Sequence, residues 1–318
     1  LYNLRIVSDL DECRGVWKTL VPEENLFDLW EVRDCFHRHF KHPLHFIIAE
    51  DERGICGFLP LSWVEESNRL AYFPAETWHG RTWLEQNRLY AKDEQVIDAL
   101  LSCCPADYQF RYLSLPASLP PERQTVDEVG YLFFPPKYGY DIENYFKEFS
   151  HKSIKRIMRE ITLLEERGVT YRYNDPRDFD LLVDLNVGRF GADSYFYDER
   201  FRESFRSLML FLKEKGWLRI TTILMEGKPA AVDMGGIYRN MYTVLAGGTN
   251  GDFPGVAKLI NLHHIRYACQ EKLSMIDFLC GDFSWKSMFH LTPRPLYMLS
   301  SVAKVCPESL DFRSAANA

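Results

Sequence analysis

The sequence has no C-x-x-C pair, no G-x-S-x-G motif and no uncharged apolar run near the roughly 18 residues that a membrane helix needs. Each absence excludes a class. Without cysteines at metal spacing no zinc module is expected, and the eight cysteines at 13, 35, 56, 103, 104, 269, 280 and 306 read as reduced. Without a nucleophile elbow, no serine-based acyl-enzyme is suggested. Positive charge is also in short supply. The 38 Lys and Arg residues stand against 45 Asp and Glu, a net charge of -7, which argues against general coating of nucleic acid. The opening residues show no basic stretch followed by an apolar one, so a cytoplasmic protein without a signal peptide or transmembrane segment is expected. His37, His39, His42 and His45 crowd together, but the first two fall on different faces of a helix end, and no metal is expected.

What is present is enough apolar material for two cores, 46% hydrophobic and 14% aromatic over 318 residues. Its pattern repeats. In the first half a strand is predicted over 4–7. A helix with Leu29, Val32, Phe36 and Phe40 on one face follows, ended by Pro43. Then come a hairpin over 45–49 and 55–63 turning at Gly54, a strand over 70–73, a helix over 94–103 and a strand over 110–115. Prolines 116, 120 and 121 break the pattern.

The second half keeps that order. A helix over 151–166 leads to a strand over 169–173 and a helical region reaching 215. Strands over 218–225, 230–238 and 242–245 follow, then a helix and a strand over 274–280. The turn glycines Gly54 and Gly227 lie 173 residues apart, and the polar turns at Asn68 and Asn240 keep nearly that offset. Duplication of a mixed α/β (α+β) unit with a mostly antiparallel sheet explains this; two unrelated units sharing a meander is the alternative. The Pro135-Pro136 pair cannot continue a ladder, which suggests two domains, 1–138 and 139–318.

The segment from Tyr242 to Ile260 holds the most chemistry. A strand runs into Gly247-Gly248-Thr249, a turn reaches Pro254-Gly255, and a helix opens with Val256-Ala257-Lys258. Gly255 permits close approach of a ligand, and the free N–H groups of a helix start suit an anion such as a pyrophosphate. A plain strand-to-helix turn has the same look. Asp233 lies within an apolar strand pattern, either on a solvent face or buried with a partner. The run from Asn186 to Tyr197 mixes Arg189 and Tyr195 with glycines, as an acceptor pocket or as a packed loop would.

Residues 252–257, Asp-Phe-Pro-Gly-Val-Ala, resemble the acyl-CoA loop of GNAT acyltransferases, Gln/Arg-x-x-Gly-x-Gly/Ala. Residues 277–289, with an Asp-Phe strand, Gly281, Lys286 and Phe289, resemble the CelD-like branch linked to cellulose and exopolysaccharide biosynthesis, and the related Fem aminoacyl transferases. The opening of those domains is similar to Phe149–Arg156 here. The likeness covers about 145 to 297; over 1–140 it is one of architecture.

The resemblance implies two tandem GNAT-like domains, the first degenerate as a cofactor site, and an acyl-CoA (acetyl-CoA) donor held by Gly247, Gly248, Thr249, Pro254, Gly255, Val256, Ala257 and Lys258. It further implies an oxyanion or phosphate contact from Lys286, with Asp282 to orient it or to accept the amine proton; a surface Asp–Lys pair at helical spacing is the alternative. Asp233 completes the expected catalytic set, and Arg189 and Tyr195 the acceptor side. One position departs from the pattern. Asp252 stands where acyl-CoA enzymes carry Gln or Arg, and a carboxylate beside a pyrophosphate is unfavourable unless it points away or is paired.

Three functions follow as expectations. The first is N-acyl transfer to an amino sugar, lipid or polysaccharide precursor. The second is transfer from aminoacyl-tRNA, which the basic face of Lys152, Lys155, Arg156 and Arg159 suits. The third is a non-catalytic role in polysaccharide assembly.

Overall fold

The computed structural model describes residues 2–114, 124–281 and 284–301. Its first half runs β1 (Asn3–Val7), α1 (Leu10–Leu20), α2 (Trp30–Phe40), β2 (Leu44–Asp51), β3 (Gly54–Val64) and β4 (Arg69–Tyr72). Four two-residue strands follow, β5 (Thr77–Trp78), β6 (Arg81–Thr82), β7 (Asn87–Arg88) and β8 (Tyr90–Ala91). Then come α3 (Glu94–Ser102), β9 (Tyr108–Ser114) and β10 (Thr125–Phe133). The second half opens with α4 (Ile142–Phe146) and α5 (His151–Glu165). It continues with β11 (Val169–Tyr173), α6 (Asp178–Phe190), α7 (Glu199–Glu214), β12 (Leu218–Met225), β13 (Lys228–Tyr238) and β14 (Met241–Thr249). Last are α8 (Val256–Gln270), β15 (Met275–Asp277), α9 (Ser284–Met288) and β16 (Thr292–Ser300).

The repeated order of strand, two helices, three-strand meander, helix and strand is thus present in both halves. Its turns are made alike. Gly54 and Gly227 sit at φ 113° and 75°, and Asn68 and Asn240 at φ 50° and 63°. That left-handed region is open to glycine and tolerated by asparagine, so the two meanders turn where the same residue types recur.

In both halves the meander is antiparallel, and its last strand pairs parallel with the strand after the helix. Leu70 and Ala71 of β4 face Tyr108 and Gln109 of β9; Met241 to Thr243 of β14 face Met275 to Asp277 of β15. In the second half this pairing lasts three residues, and β14 then runs on to Thr249 paired with β13 only. The two strands part there, leaving one edge of β14 without a strand partner.

One sheet runs through the whole molecule, in the order β1-β2-β3-β4-β9-β16-β10-β15-β14-β13-β12-β11. The final strands of the halves are interleaved. β16 lies between β9 and β10, while β10 lies between β16 and β15. Their side chains follow: Phe133 of β10 packs in the core under α5 and α8, and Leu299 of β16 in the core of the first half. A third core joins α2 of the first half to α6 and α7 of the second.

Neither β10 nor β16 was expected from the sequence. β16 carries Pro293 and Pro295, which normally argue against a strand between two neighbours, and β10 carries Asp127, Glu128 and Gly130. The strand predicted over 274–280 stops at Asp277. Beyond it the backbone bends, with Leu279 at φ 57° and its carbonyls turned to the Lys286 ammonium.

Candidate active site

Two groups of residues flank the place where β14 and β15 part. On the β14 side, pairing with β13 shifts between Met234 and Gly235: Met234 faces Ala246 and Gly235 faces Val244, so Leu245 is an extra residue. Such a bulge re-aims backbone groups and is common beside active sites. Gly247 and Gly248 follow, and each has a packing reason to lack a side chain. A Cβ on Gly247 would fall 2.2 Å from Asp233 Oδ1, and one on Gly248 would fall 2.7 Å from the Leu182 carbonyl.

Asp233 is buried, and its Oδ2 lies 2.9 Å from Nε2 of the fully buried His264 on α8. Their pair ties the middle of α8 to the sheet beneath Gly247. Around it Tyr242 Oη, Thr221 Oγ1, Arg219 Nε and His264 Nδ1 are buried with no hydrogen-bond partner among the described residues. Burial pushes the Tyr195 hydroxyl above its ordinary range, and the Asp233 charge adds to this, so the two share one electrostatic neighbourhood.

Gly247→Ala should therefore cost about 2 kcal/mol in denaturant unfolding, because the buried carboxylate that pairs with His264 must shift to admit the methyl group. Gly251→Ala, with nothing within 4 Å, is the control expected to cost little. Equal stabilities would show that Asp233 has room to move.

The turn after β14 is held by its own side chains. Asn250 Oδ1 accepts from the Asp252 N–H at 2.9 Å, Phe253 is buried, and Asp252 and Pro254 are exposed. Gly255 caps α8 at φ 90° with no side-chain cap. Val256 is buried, Ala257 half-buried, and Lys258 bonds Glu160 on α5. Asn186 of α6 donates to the Gly247 carbonyl at 2.7 Å, and the exposed Arg189 reaches Thr249 Oγ1 at 3.4 Å. Tyr195 packs against Trp78 and Trp83 from the first half.

On the β15 side stands Lys286. It is 2% exposed, and its ammonium donates to the carbonyls of Phe278, Leu279 and Cys280 at 3.0, 2.8 and 2.9 Å. Burial pulls it down to about 8. Three carbonyls match the three protons of an ammonium, so in this geometry Lys286 shapes the 278–280 turn. Asp282 lies outside the described residues.

Asp277 of the 277–289 motif and residues from outside it complete this side. Asp277 accepts from Arg294 Nη1 of β16 and Gln86 Nε2 of the first half, both at 2.8 Å. Glu85, next to Gln86, is 4% exposed, and its Oε1 accepts from the Cys280 N–H at 2.7 Å. Burial, with Asp277 close by, pushes its carboxyl up to about 7. Gly130 of β10 leaves the space that the Arg294 guanidinium fills. Four chain segments thus converge on one buried charge cluster at the crossing of the halves.

Residues 151–287 match the protein-family model described as an acetyltransferase (GNAT) domain. That stretch, less than half of the chain, is similar to a GNAT acetyltransferase domain. The protein's enzyme class is acyltransferase. Among solved structures, FemX is similar at 8% identity and TM-score 0.57, over 94% of this chain and 97% of that one. The L-PGS structure from Bacillus licheniformis is similar at 12% and 0.53, over 92% and 91%. A tandem GNAT protein from the clavulanic acid biosynthesis pathway is similar at 10% and 0.51, over 96% and 100%. At these identities the likeness is one of fold. No curated protein matches the chain. Around the GNAT domain no helix of the described residues is long and apolar enough to cross a membrane, and no described group of three His, Cys, Asp or Glu could hold a metal.

Proposed function

We propose that this protein transfers an acyl group from acyl-CoA to an amino-bearing acceptor, with the donor lying along the free edge of β14 and its pyrophosphate at the start of α8. One observation carries the reading: the bulged strand β14 separates from β15 and leads, through a short turn, to a helix capped by glycine. A bulge N–H suits a polarised thioester carbonyl, and uncapped helix N–H groups suit phosphate oxygens. Asp252 is exposed, so its carboxylate is free to point away from such an anion.

In the reaction the acceptor amine adds to the thioester carbonyl, the carbon–sulfur bond breaks, and the amine proton passes to a base as the thiolate departs. Asp282 is proposed for that base, Arg189 and Tyr195 for the acceptor side, and Asp233 for positioning α8 through His264. Lys286 is proposed to act on the charge of donor or intermediate by fixing the 278–280 turn. An amino sugar or a lipid or polysaccharide precursor is the proposed acceptor. The residues 139–318 are taken as the transfer domain, with 1–138 as the other wall.

Coenzyme A, acetyl-CoA and longer acyl-CoAs should raise the melting temperature by mass action. Gly255→Asp should abolish that rise, and should itself cost about 1–2 kcal/mol because φ 90° strains any side chain. A coenzyme A response that survives in the folded variant removes this loop from the site.

A second reading, aminoacyl-tRNA as donor, is favoured by one feature. Lys152, Lys155, Arg156 and Arg159 are all exposed on α5. Binding of tRNA that weakens steeply with salt, without any response to coenzyme A, would select it.

A further inference from the structure

The geometry points to a second binding site, separate from the β14 groove: a cavity between the halves that takes a phosphate group. The cavity holds about 200 Å³. That is below the roughly 300–1,000 Å³ of pockets for drug-sized ligands, so it suits a small one. Its floor is one face of the first-half sheet, with Arg69 of β4 and Arg111 of β9; Thr77 and Thr82 of the β5–β6 hairpin and Arg200 of α7 also line it.

Three arginines from three elements line the cavity, against a single lining acid, Glu66, whose side chain is 56% exposed. Arg200 is held by Glu66 and Asp198, and Arg111 by Asp127 and Glu128. Asp198, Asp127 and Glu128 do not line the cavity, so they orient the guanidiniums without occupying it. Arg69 has no carboxylate partner among the described residues; its one bond goes to Gln109 Oε1 at 3.0 Å.

Two donors are left over as well. Arg111 Nη1 and Thr82 Oγ1 are buried and have no hydrogen-bond partner among the described residues. A buried N–H of a charged group without an acceptor is costly, and a phosphate offers acceptor oxygens in the arrangement that arginine forks recognise. Arg69 supplies unneutralised charge, and Thr82 a hydroxyl that donates.

The test uses the whole chain, with melting temperature followed against inorganic phosphate, glycerol 3-phosphate and sodium chloride at matched ionic strength. Phosphate is expected to raise the midpoint saturably while chloride does not. Arg69→Gln should weaken the apparent affinity at least tenfold, and Thr82→Val should weaken it several-fold while preserving side-chain shape. Gly255→Asp should leave the response unchanged, which keeps this site distinct from the proposed donor groove. Tighter binding of glycerol 3-phosphate would identify a phosphorylated small molecule as the source; equal or weaker binding would identify the free ion. The assignment is overturned if phosphate acts no differently from chloride, if Thr82→Val and a folded Arg69→Gln both keep the full response, or if Gly255→Asp removes it.

Discussion

Residues 1–138 and 139–318, produced as separate chains, are expected to give no cooperative unfolding transition. The reason is the interleaving of β10 and β16. In the first fragment β10 loses both of its neighbours, β15 and β16; in the second, β16 loses both β9 and β10. Each stranded segment also takes core with it. Phe133 and Leu132 would be exposed in one fragment, and Leu296 and Leu299, all buried in the intact chain, in the other. Large apolar side chains contribute about 1.5–3 kcal/mol each on burial. Two of them, together with two broken ladders, consume most of the 5–15 kcal/mol by which a domain is stable. Circular dichroism during thermal melts checks this, and mixing the fragments should restore a transition. A sharp melt from either fragment alone would show that the exchanged strands are dispensable.

The second large effect is expected from Glu85→Gln. A carboxyl held at about 7 in the folded chain against an ordinary 4.5 binds a proton that the unfolded chain has already released across that interval. Its stabilising contribution is therefore complete below pH 4.5 and is lost as pH rises through 7. The glutamine variant has no charge to bury. Its stability relative to the parent should be near zero at pH 4.5 and favourable by about 3 kcal/mol at pH 8. Glu76 is also pushed up to about 7, by burial, but it is present in both proteins and cancels in the difference. Denaturant titrations at several pH values read the effect directly. A difference that does not change with pH would mean that Glu85 is ionised throughout and compensated by Arg294.

Much of the fold was legible because it is written locally. The strand predicted over 218–225 is the observed β12, and the helix over 151–166 is α5 to within a residue. Periodicity and turn glycines set both. The interleaved strands were not legible, because nothing in β16 names β9 as a neighbour nearly 200 residues away. The candidate site divides the same way. Gly247 to Lys258 were singled out by strand, glycine and helix order, and Lys286 by a motif. His264 was missed because the adjacent pair His263 and His264 gives no sign in the sequence of which one meets Asp233. Glu85 was missed because its burial is created by Cys280 and Arg294, which the sequence places in the other half. A carboxylate in a polar loop looks like surface until its neighbours arrive.

The continuous ladder also restricts how this molecule can admit ligands. Two-lobed enzymes often open like a clamshell, swinging one lobe away about a hinge of a few residues. Here any such swing would have to break the β9–β16, β16–β10 or β10–β15 ladder, with its main-chain hydrogen bonds. The lobes are welded. Ligands must therefore enter by local movement of turns and side chains, and selectivity between substrates has to come from the fixed shape of the passages.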